Sequence, residues 1–164
     1  MHHIPDLVQF PGEHLSALCN IHSLTLHDTS AEHVTKEFPT CFSAFRETLT
    51  YLSLTDFATS FGAFVTLVGC FPNMTTLRVD SLKLEPDEGP VPQLSQPLRG
   101  EIRVHEFPGD LEFFSRLSGL DLEYEKLVIV STHYHMVTIF LESALQISPN
   151  SVKFLRLTAE LRCE

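Results

Sequence analysis

Basic residues are scarce in this chain of 164 residues, which has 11 lysines and arginines against 21 aspartates and glutamates and a formal net charge of −10. This balance argues against bulk-charge binding to nucleic acid or anionic membranes, so we expect neither as a partner. A secretory signal is missing, since no basic start and apolar run follow Met1. The longest stretch without a charged residue, 57–77, is interrupted by threonines, a proline and an asparagine, which argues against a membrane span. We therefore predict a cytoplasmic or nuclear protein.

Cysteine and glycine are too few and too scattered for the usual motifs of metal or cofactor sites. The four cysteines leave no CxxC pair, and we expect reduced, mostly buried thiols. The seven glycines do not cluster, and the chain contains no P-loop, no GxSxG and no dinucleotide-binding turn. His133 and His135 have an HxH spacing, but the helix predicted there would direct their rings apart. We predict no enzyme, no cofactor and no metal. The alternative is a small hydrolase or metal-binding domain with a site on loops at the strand ends.

Hydrophobic residues are abundant, at 43% of the chain with 13 phenylalanines, which is enough for one domain with its own core. They recur in segments of the form apolar-x-x-Leu-x-apolar, whose leucine or its equivalent lies at positions 24, 52, 77, 102, 127 and 155. Each segment alternates apolar and polar residues, which is typical of a short strand with one buried face. The near-constant spacing predicts a repeat protein of about five to six units.

Helical periodicity fills most of the segments between these strands. The clearest apolar stripe, at steps of three or four residues, consists of Phe57, Phe61, Phe64, Val68 and Phe71. Further helices are predicted at 29–38, around 42–45, at 110–117 and at 137–145. Because polar residues alternate within the strands, one sheet face meets water, which favours a solenoid over a sheet covered by helices on both faces. We predict an α/β leucine-rich-repeat-like solenoid with a parallel sheet on the concave face and helices on the convex face.

Residues 1–20 are predicted to form an N-terminal lead-in or partial repeat, and residues 21–164 the leucine-rich-repeat-like domain. One segment of that domain, 85–97, holds four of the ten prolines and has no helical period. Proline favours an extended, semi-rigid backbone there. We interpret this Pro-rich loop as a surface loop in place of a helix, or alternatively as a strap over one edge of the solenoid or a docking segment.

Three stretches of the chain resemble the leucine-rich-repeat regions of F-box-type proteins from mushroom-forming fungi: PDEGPVPQLSQPLRGEIRVHEF, LEFFSRLSGLDLEYEKLVI and SALQISPNSVKFLRLTAEL. The resemblance implies a substrate receptor, in which an F-box docks to a cullin-type ubiquitin ligase and the repeats hold a target. Residues 1–20, interrupted by Pro5 and Pro11, are too short for an F-box. Ligase subunits are therefore expected as partners only if an F-box exists upstream. The asparagine that many leucine-rich repeats place after the strand is also missing, with Phe57 and Leu82 at two of these positions.

The polar strand positions form the predicted binding face. Its central column is expected to consist of Thr25, Ser53, Arg78, Arg103, Val128 and Arg156. Arginine offers a planar set of donors suited to carboxylate or phosphate, and tyrosine is enriched at interface cores. We predict that Arg78, Arg103, Arg156, Tyr51 and His105 contact a partner protein with acidic or phosphorylated residues. The alternative is that the arginines merely balance neighbours such as Asp80 and Glu101.

Three apolar residues, Val128, Val130 and Phe154, are expected on the same face. They form an apolar patch, lie under the Pro-rich loop, or indicate that the strand faces differ there. The sequence thus predicts a protein-interaction module, and the resemblance implies the substrate-recognition part of a ubiquitin ligase adaptor.

Overall fold

The computed structural model describes residues 20–28, 43–87, 89–90, 92–94, 96–105, 111–117, 119–120, 122–131 and 153–159. The elements in these ranges are, in order, β1 (Ser23–His27), a 3₁₀ turn (Ser43–Phe45), β2 (Tyr51–Thr55), β3 (Ala58–Ser60), α1 (Phe61–Gly69), β4 (Thr76–Asp80), β5 (Lys83–Glu85), β6 (Leu98–His105), α2 (Leu111–Leu117), β7 (Leu122–Ser131) and β8 (Phe154–Ala159). The helices predicted at 29–38 and 137–145, and the histidine pair at 133 and 135, lie outside the described residues. Neither α1 nor α2 is long enough to cross a membrane.

Six strands form one open, all-parallel sheet in the order β1-β2-β4-β6-β7-β8, which is also their order along the chain. The two short strands β3 and β5 form a separate parallel pair. The predicted α/β class with a parallel sheet is therefore confirmed.

The repeated leucine positions lie side by side in this sheet, as their spacing predicts. Residues 24, 52, 77, 102, 127 and 155 are register partners from one strand to the next. Leu52 and Leu77 are fully buried and Ile102 and Leu127 nearly so, whereas Leu155 on β8 is partly exposed. One face of the sheet thus carries the apolar core, and the core is most complete in the middle of the sheet.

Helix α1 packs its aromatic stripe into this core. Ser60 caps the helix, because its hydroxyl oxygen accepts a hydrogen bond from the Ala63 N–H at 3.2 Å. Phe64 contacts Phe113 of α2 edge to face, with ring centroids 5.2 Å apart. The sequence stripe begins at Phe57, but the helix does not, because residues 58–60 pair with β5. Phe57 is nevertheless buried, in the turn after β2.

The same turn follows three of the strands. The residue directly after the strand has a left-handed backbone, and its N–H donates to the carbonyl oxygen of the last residue of the neighbouring strand. This holds for Asp28 with Thr55, Asp56 with Asp80, and Ser81 with His105. Two of these turns continue with Phe57 or Leu82, each only 1% exposed. Apolar packing therefore occupies the place that asparagine takes in many leucine-rich repeats.

The Pro-rich loop lies against the helices. The Oδ1 atom of Asp87 accepts a hydrogen bond from the Gly62 N–H of α1 at 2.7 Å, and the same carboxylate forms an ion pair with Arg116 of α2. Further along the loop, Leu94 packs beside Gly69 and against the core. The loop thus contacts the helical layer through Asp87 and Leu94, and its interpretation as a surface loop in place of a helix stays a prediction. These contacts argue against the loop as the cover of Val128, Val130 and Phe154, since its anchoring residues contact the helical layer.

Candidate protein-interaction face

The open face is defined here as the side of the six-stranded sheet opposite the core leucines. Strand pairing places its central column in the predicted register, Thr25–Ser53–Arg78–Arg103–Val128–Arg156. One flanking column contains Ser23, Tyr51, Thr76, Glu101, Lys126 and Phe154, and the other contains His27, Thr55, Asp80, His105, Val130 and Thr158. The structure therefore brings Arg78 and Arg103 directly side by side, whereas Val128 separates Arg103 from Arg156.

Arg78 is held by an acidic neighbour on its own strand. Its Nη2 atom lies 3.2 Å from Oδ2 of Asp80, two residues further along β4 and therefore on the same face. The Nε atom of Arg78 is buried and has no hydrogen-bond partner among the described residues. The short side chain of Ser53, next to Arg78 in the column, is also buried. One nitrogen of the Arg78 guanidinium is thus paired with Asp80, and another is buried.

Arg103 and Lys126 share a single carboxylate. Oε1 of Glu101 accepts a hydrogen bond from Nε of Arg103 at 2.6 Å and lies 3.1 Å from Nζ of Lys126. Burial by itself would raise the pKa of Glu101, but the hydrogen bonds from the two cations outweigh it and lower this pKa. The hydrogen bond to Glu101 raises the pKa of Arg103 in turn. Glu101 therefore stays ionised within a small network of one anion and two cations.

Arg156 differs from the other two arginines. Its residue on β8 is exposed, and it forms no ion pair with any other residue that the structure describes. Phe154, two residues earlier on the same face, is 50% exposed. The Nζ atom of Lys126 lies 5.5 Å from the centre of the Phe154 ring, a cation–π distance. The end of the open face thus combines an arginine that has no ion pair within the described ranges with a large exposed ring.

Tyr51 and His105 flank the arginines on opposite sides. Tyr51 is half-buried and is the register partner of Thr76, next to Ser53 on the face. His105 is half-buried and lies opposite Asp80 in the other flanking column. The structure therefore places all five predicted contact residues on one face, but in a band five strands wide rather than in one cluster.

The open face carries more positive than negative charge. In its three columns the cations are Arg78, Arg103, Lys126 and Arg156, and the carboxylates are Asp80 and Glu101, which leaves a formal charge of +2 there on a chain of −10. The ion pairs of Arg78 and Arg103 agree with the alternative that these two arginines balance their neighbours. Sequence reasoning left Lys126 and Phe154 out of the predicted contacts, although their column positions were available from the repeat spacing.

Neither a metal site nor a reactive thiol is evident in the described part of the chain. No group of three histidine, cysteine, aspartate or glutamate side chains within it is placed to hold a metal ion. Cys70 is a free thiol, and burial raises its pKa despite the nearby charge of Arg46, so the thiol stays protonated near neutral pH.

No protein-family model, curated protein or solved structure matches this chain. The geometry and charge of the open face are therefore the basis for inferring its function.

Proposed function

We propose that the protein is a non-enzymatic protein-interaction module, built as a leucine-rich-repeat-like solenoid, that binds a partner on the open face of its sheet. Three features support the solenoid. The strands of the main sheet follow one another in chain order, the core lies on one side of the sheet, and three strands end in the same left-handed turn. In such an array each unit contacts its neighbours, and the exposed sheet becomes the concave binding surface.

The partner in this proposal is a protein with acidic or phosphorylated residues. The observation that carries it is the excess of positive charge on one face of an acidic chain, with Arg78 and Arg103 side by side. Complementary charge steers association and selects partners, even where individual surface ion pairs contribute little free energy. Tyr51 and His105 add contact area on either side of the two arginines.

A role as the substrate-recognition part of an F-box-type ubiquitin ligase adaptor rests on the resemblance of the repeat sequences. In that role the open face holds the target, and an F-box supplied upstream contacts the ligase. Without an F-box, the same face acts as a simple binding module.

The experiment is affinity capture with wild-type protein and with the double variant Arg78→Glu/Arg103→Glu, followed by mass spectrometry. The control is Arg46→Glu/Lys83→Glu, which changes net charge by the same amount at exposed positions outside the main sheet. We expect specific partners to disappear with the first variant only. Equal recovery with both variants would contradict the proposal. Circular dichroism and the milder Arg78→Gln/Arg103→Gln variant separate loss of binding from loss of folding.

A further inference from the structure

Four side chains at the β7–β8 end of the open face form a small patch of alternating chemistry. Lys126 is the register partner of Phe154, and Val128 is the register partner of Arg156. Neighbouring strands lie about 4.8 Å apart, and alternate residues of a strand lie about 6.7 Å apart. The two cations therefore occupy one diagonal of a rectangle, about 8 Å apart at the backbone, and the two apolar residues occupy the other. We call these four residues the β7–β8 patch.

We propose that the β7–β8 patch is the main contact of the open face, and that it binds a short acidic segment of a partner protein in which a large apolar side chain adjoins the carboxylates. This inference rests on the proposed function and deepens it. It moves the main contact from Arg78 and Arg103 to Arg156 and adds Phe154 as an apolar anchor.

The first argument is the availability of the cations. A carboxylate that approaches Arg78 or Arg103 must compete with Asp80 or Glu101, each of which already forms an ion pair with its arginine. Arg156 is exposed and has no such competitor among the described residues. An incoming carboxylate can therefore form a new bidentate pair with Arg156 without breaking an existing one.

The second argument is the exposed ring beside this cation. Phe154 is 50% exposed. Val128, on the neighbouring strand, is buried and adds an apolar side chain to the patch. Aromatic residues and arginine are enriched at interfaces, and burial of an exposed ring by a partner is favourable because it removes apolar surface from water. A purely acidic segment would leave this ring uncovered, so the favoured ligand carries an apolar side chain as well.

Charge complementarity also favours carboxylates over phosphate. Sites for phosphate dianions gather several arginines or a helix N-terminus around one group. Here Lys126 already pairs with Glu101, which also pairs with Arg103. Of the two cations in the patch, only Arg156 therefore has no ion pair among the described residues. This arrangement matches singly charged groups spaced along an extended peptide.

The test uses a phage-displayed library of random dodecapeptides selected on the wild-type protein. We expect enriched peptides to combine aspartate or glutamate with a nearby leucine, isoleucine or phenylalanine. Synthetic versions of these peptides should lose affinity at least about tenfold, measured by fluorescence anisotropy, with Arg156→Gln and with Phe154→Ser. The control is Arg99→Gln, because Arg99 is also exposed but already pairs with Glu123 at 2.8 Å. Binding by this control should remain unchanged.

The outcomes separate this inference from the proposed function. Peptides that lose affinity with Arg78→Gln/Arg103→Gln but not with Arg156→Gln would overturn the β7–β8 patch and leave the open face as the binding surface. Failure to enrich acidic peptides, or binding that none of these variants changes, would overturn both. Phosphoserine versions of the same peptides form a further arm, and binding of only the phosphorylated forms would refute the assignment to carboxylates.

Discussion

Asp87 joins the Pro-rich loop to both helices, and its removal is expected to loosen the helical side of the protein. One carboxylate oxygen accepts the N–H of Gly62 near the start of α1, where backbone donors have no partner within the helix. The other oxygen pairs with Arg116 of α2, whose guanidinium also lies 5.7 Å from the centre of the Phe61 ring. The Asp87 side chain is only 13% exposed, so water replaces these contacts poorly.

The expected magnitude follows from these two contacts. A hydrogen bond to a charged group contributes about 1.5–3 kcal/mol. Arg116 is 34% exposed, so solvent screening limits the ion pair to about 1 kcal/mol at most. Asp87→Ala should therefore lower the free energy of unfolding by about 2–4 kcal/mol, or the melting temperature by roughly 4–16 °C. Asp87→Asn keeps an acceptor for the Gly62 N–H and should cost only about 1 kcal/mol.

Urea denaturation followed by circular dichroism measures these differences directly. The matched control is Glu123→Ala, which removes a carboxylate from the exposed pair with Arg99 and should change stability by less than about 1 kcal/mol. If Asp87→Ala were no more destabilising than this control, the loop would not be anchored as described. If Asp87→Asn were as damaging as Asp87→Ala, the hydrogen bond to the helix could not be the main contribution.

Three further predictions concern the sheet. Gly100→Ala should destabilise the protein by more than about 2 kcal/mol in urea denaturation, because Gly100 has φ +92° and a Cβ there would lie 2.1 Å from a backbone carbonyl oxygen. Gly89→Ala, with nothing within 4 Å, should be nearly neutral, and similar effects of the two would refute this account. Tyr124→Phe should raise the melting temperature or leave it unchanged, because the Tyr124 hydroxyl is buried and has no hydrogen-bond partner among the described residues. A clear drop in the melting temperature would contradict this and indicate that the hydroxyl forms a hydrogen bond. Glu101 has a lowered pKa, so its stabilising contribution is present above its ordinary value of about 4.3 and is lost as pH falls through the lower folded-state value. Glu101→Gln should therefore be less stable than wild type at pH 7, and the difference should shrink as pH falls below the ordinary pKa of a glutamate; a constant difference would contradict the ion-pair network.

The alternation of residues in the repeats was sufficient to predict the register of the main sheet. Successive side chains of a strand point to opposite faces of the sheet. When the leucines of a segment are buried on one face, the residues between them must therefore lie on the other face. The positions from Leu24 to Leu155 therefore aligned as predicted, and the central column from Thr25 to Arg156 followed from them. The parallel class of the sheet was also predictable, because a repeat of about 25 residues leaves enough chain between successive strands for the crossover that a parallel connection requires.

The weakest repeat shows where this reasoning stops. Only Ile102 and Val104 fit the pattern in β6, where Arg99 takes the first apolar position and the neighbouring Leu98 is buried instead. The register shifts between Gly100 and Glu101, and the left-handed backbone of Gly100 accommodates a close approach of the neighbouring chain. Such an irregularity depends on how two strands meet, which the periodicity of either strand alone does not specify.

What the sequence alone determined is which residues lie on the core side of the sheet and which lie on its open side, because burial of apolar side chains acts on each strand separately. What only the tertiary structure decided is which polar groups are already paired. Asp87 contacts Gly62 of α1 and Arg116 of α2, which are 25 and 29 residues away in the sequence. Glu101 forms ion pairs with Arg103 and Lys126, whereas Arg156 is exposed. These contacts depend on distances of a few ångströms between side chains from different elements, and that geometry exists only once the whole sheet and its helices are packed together.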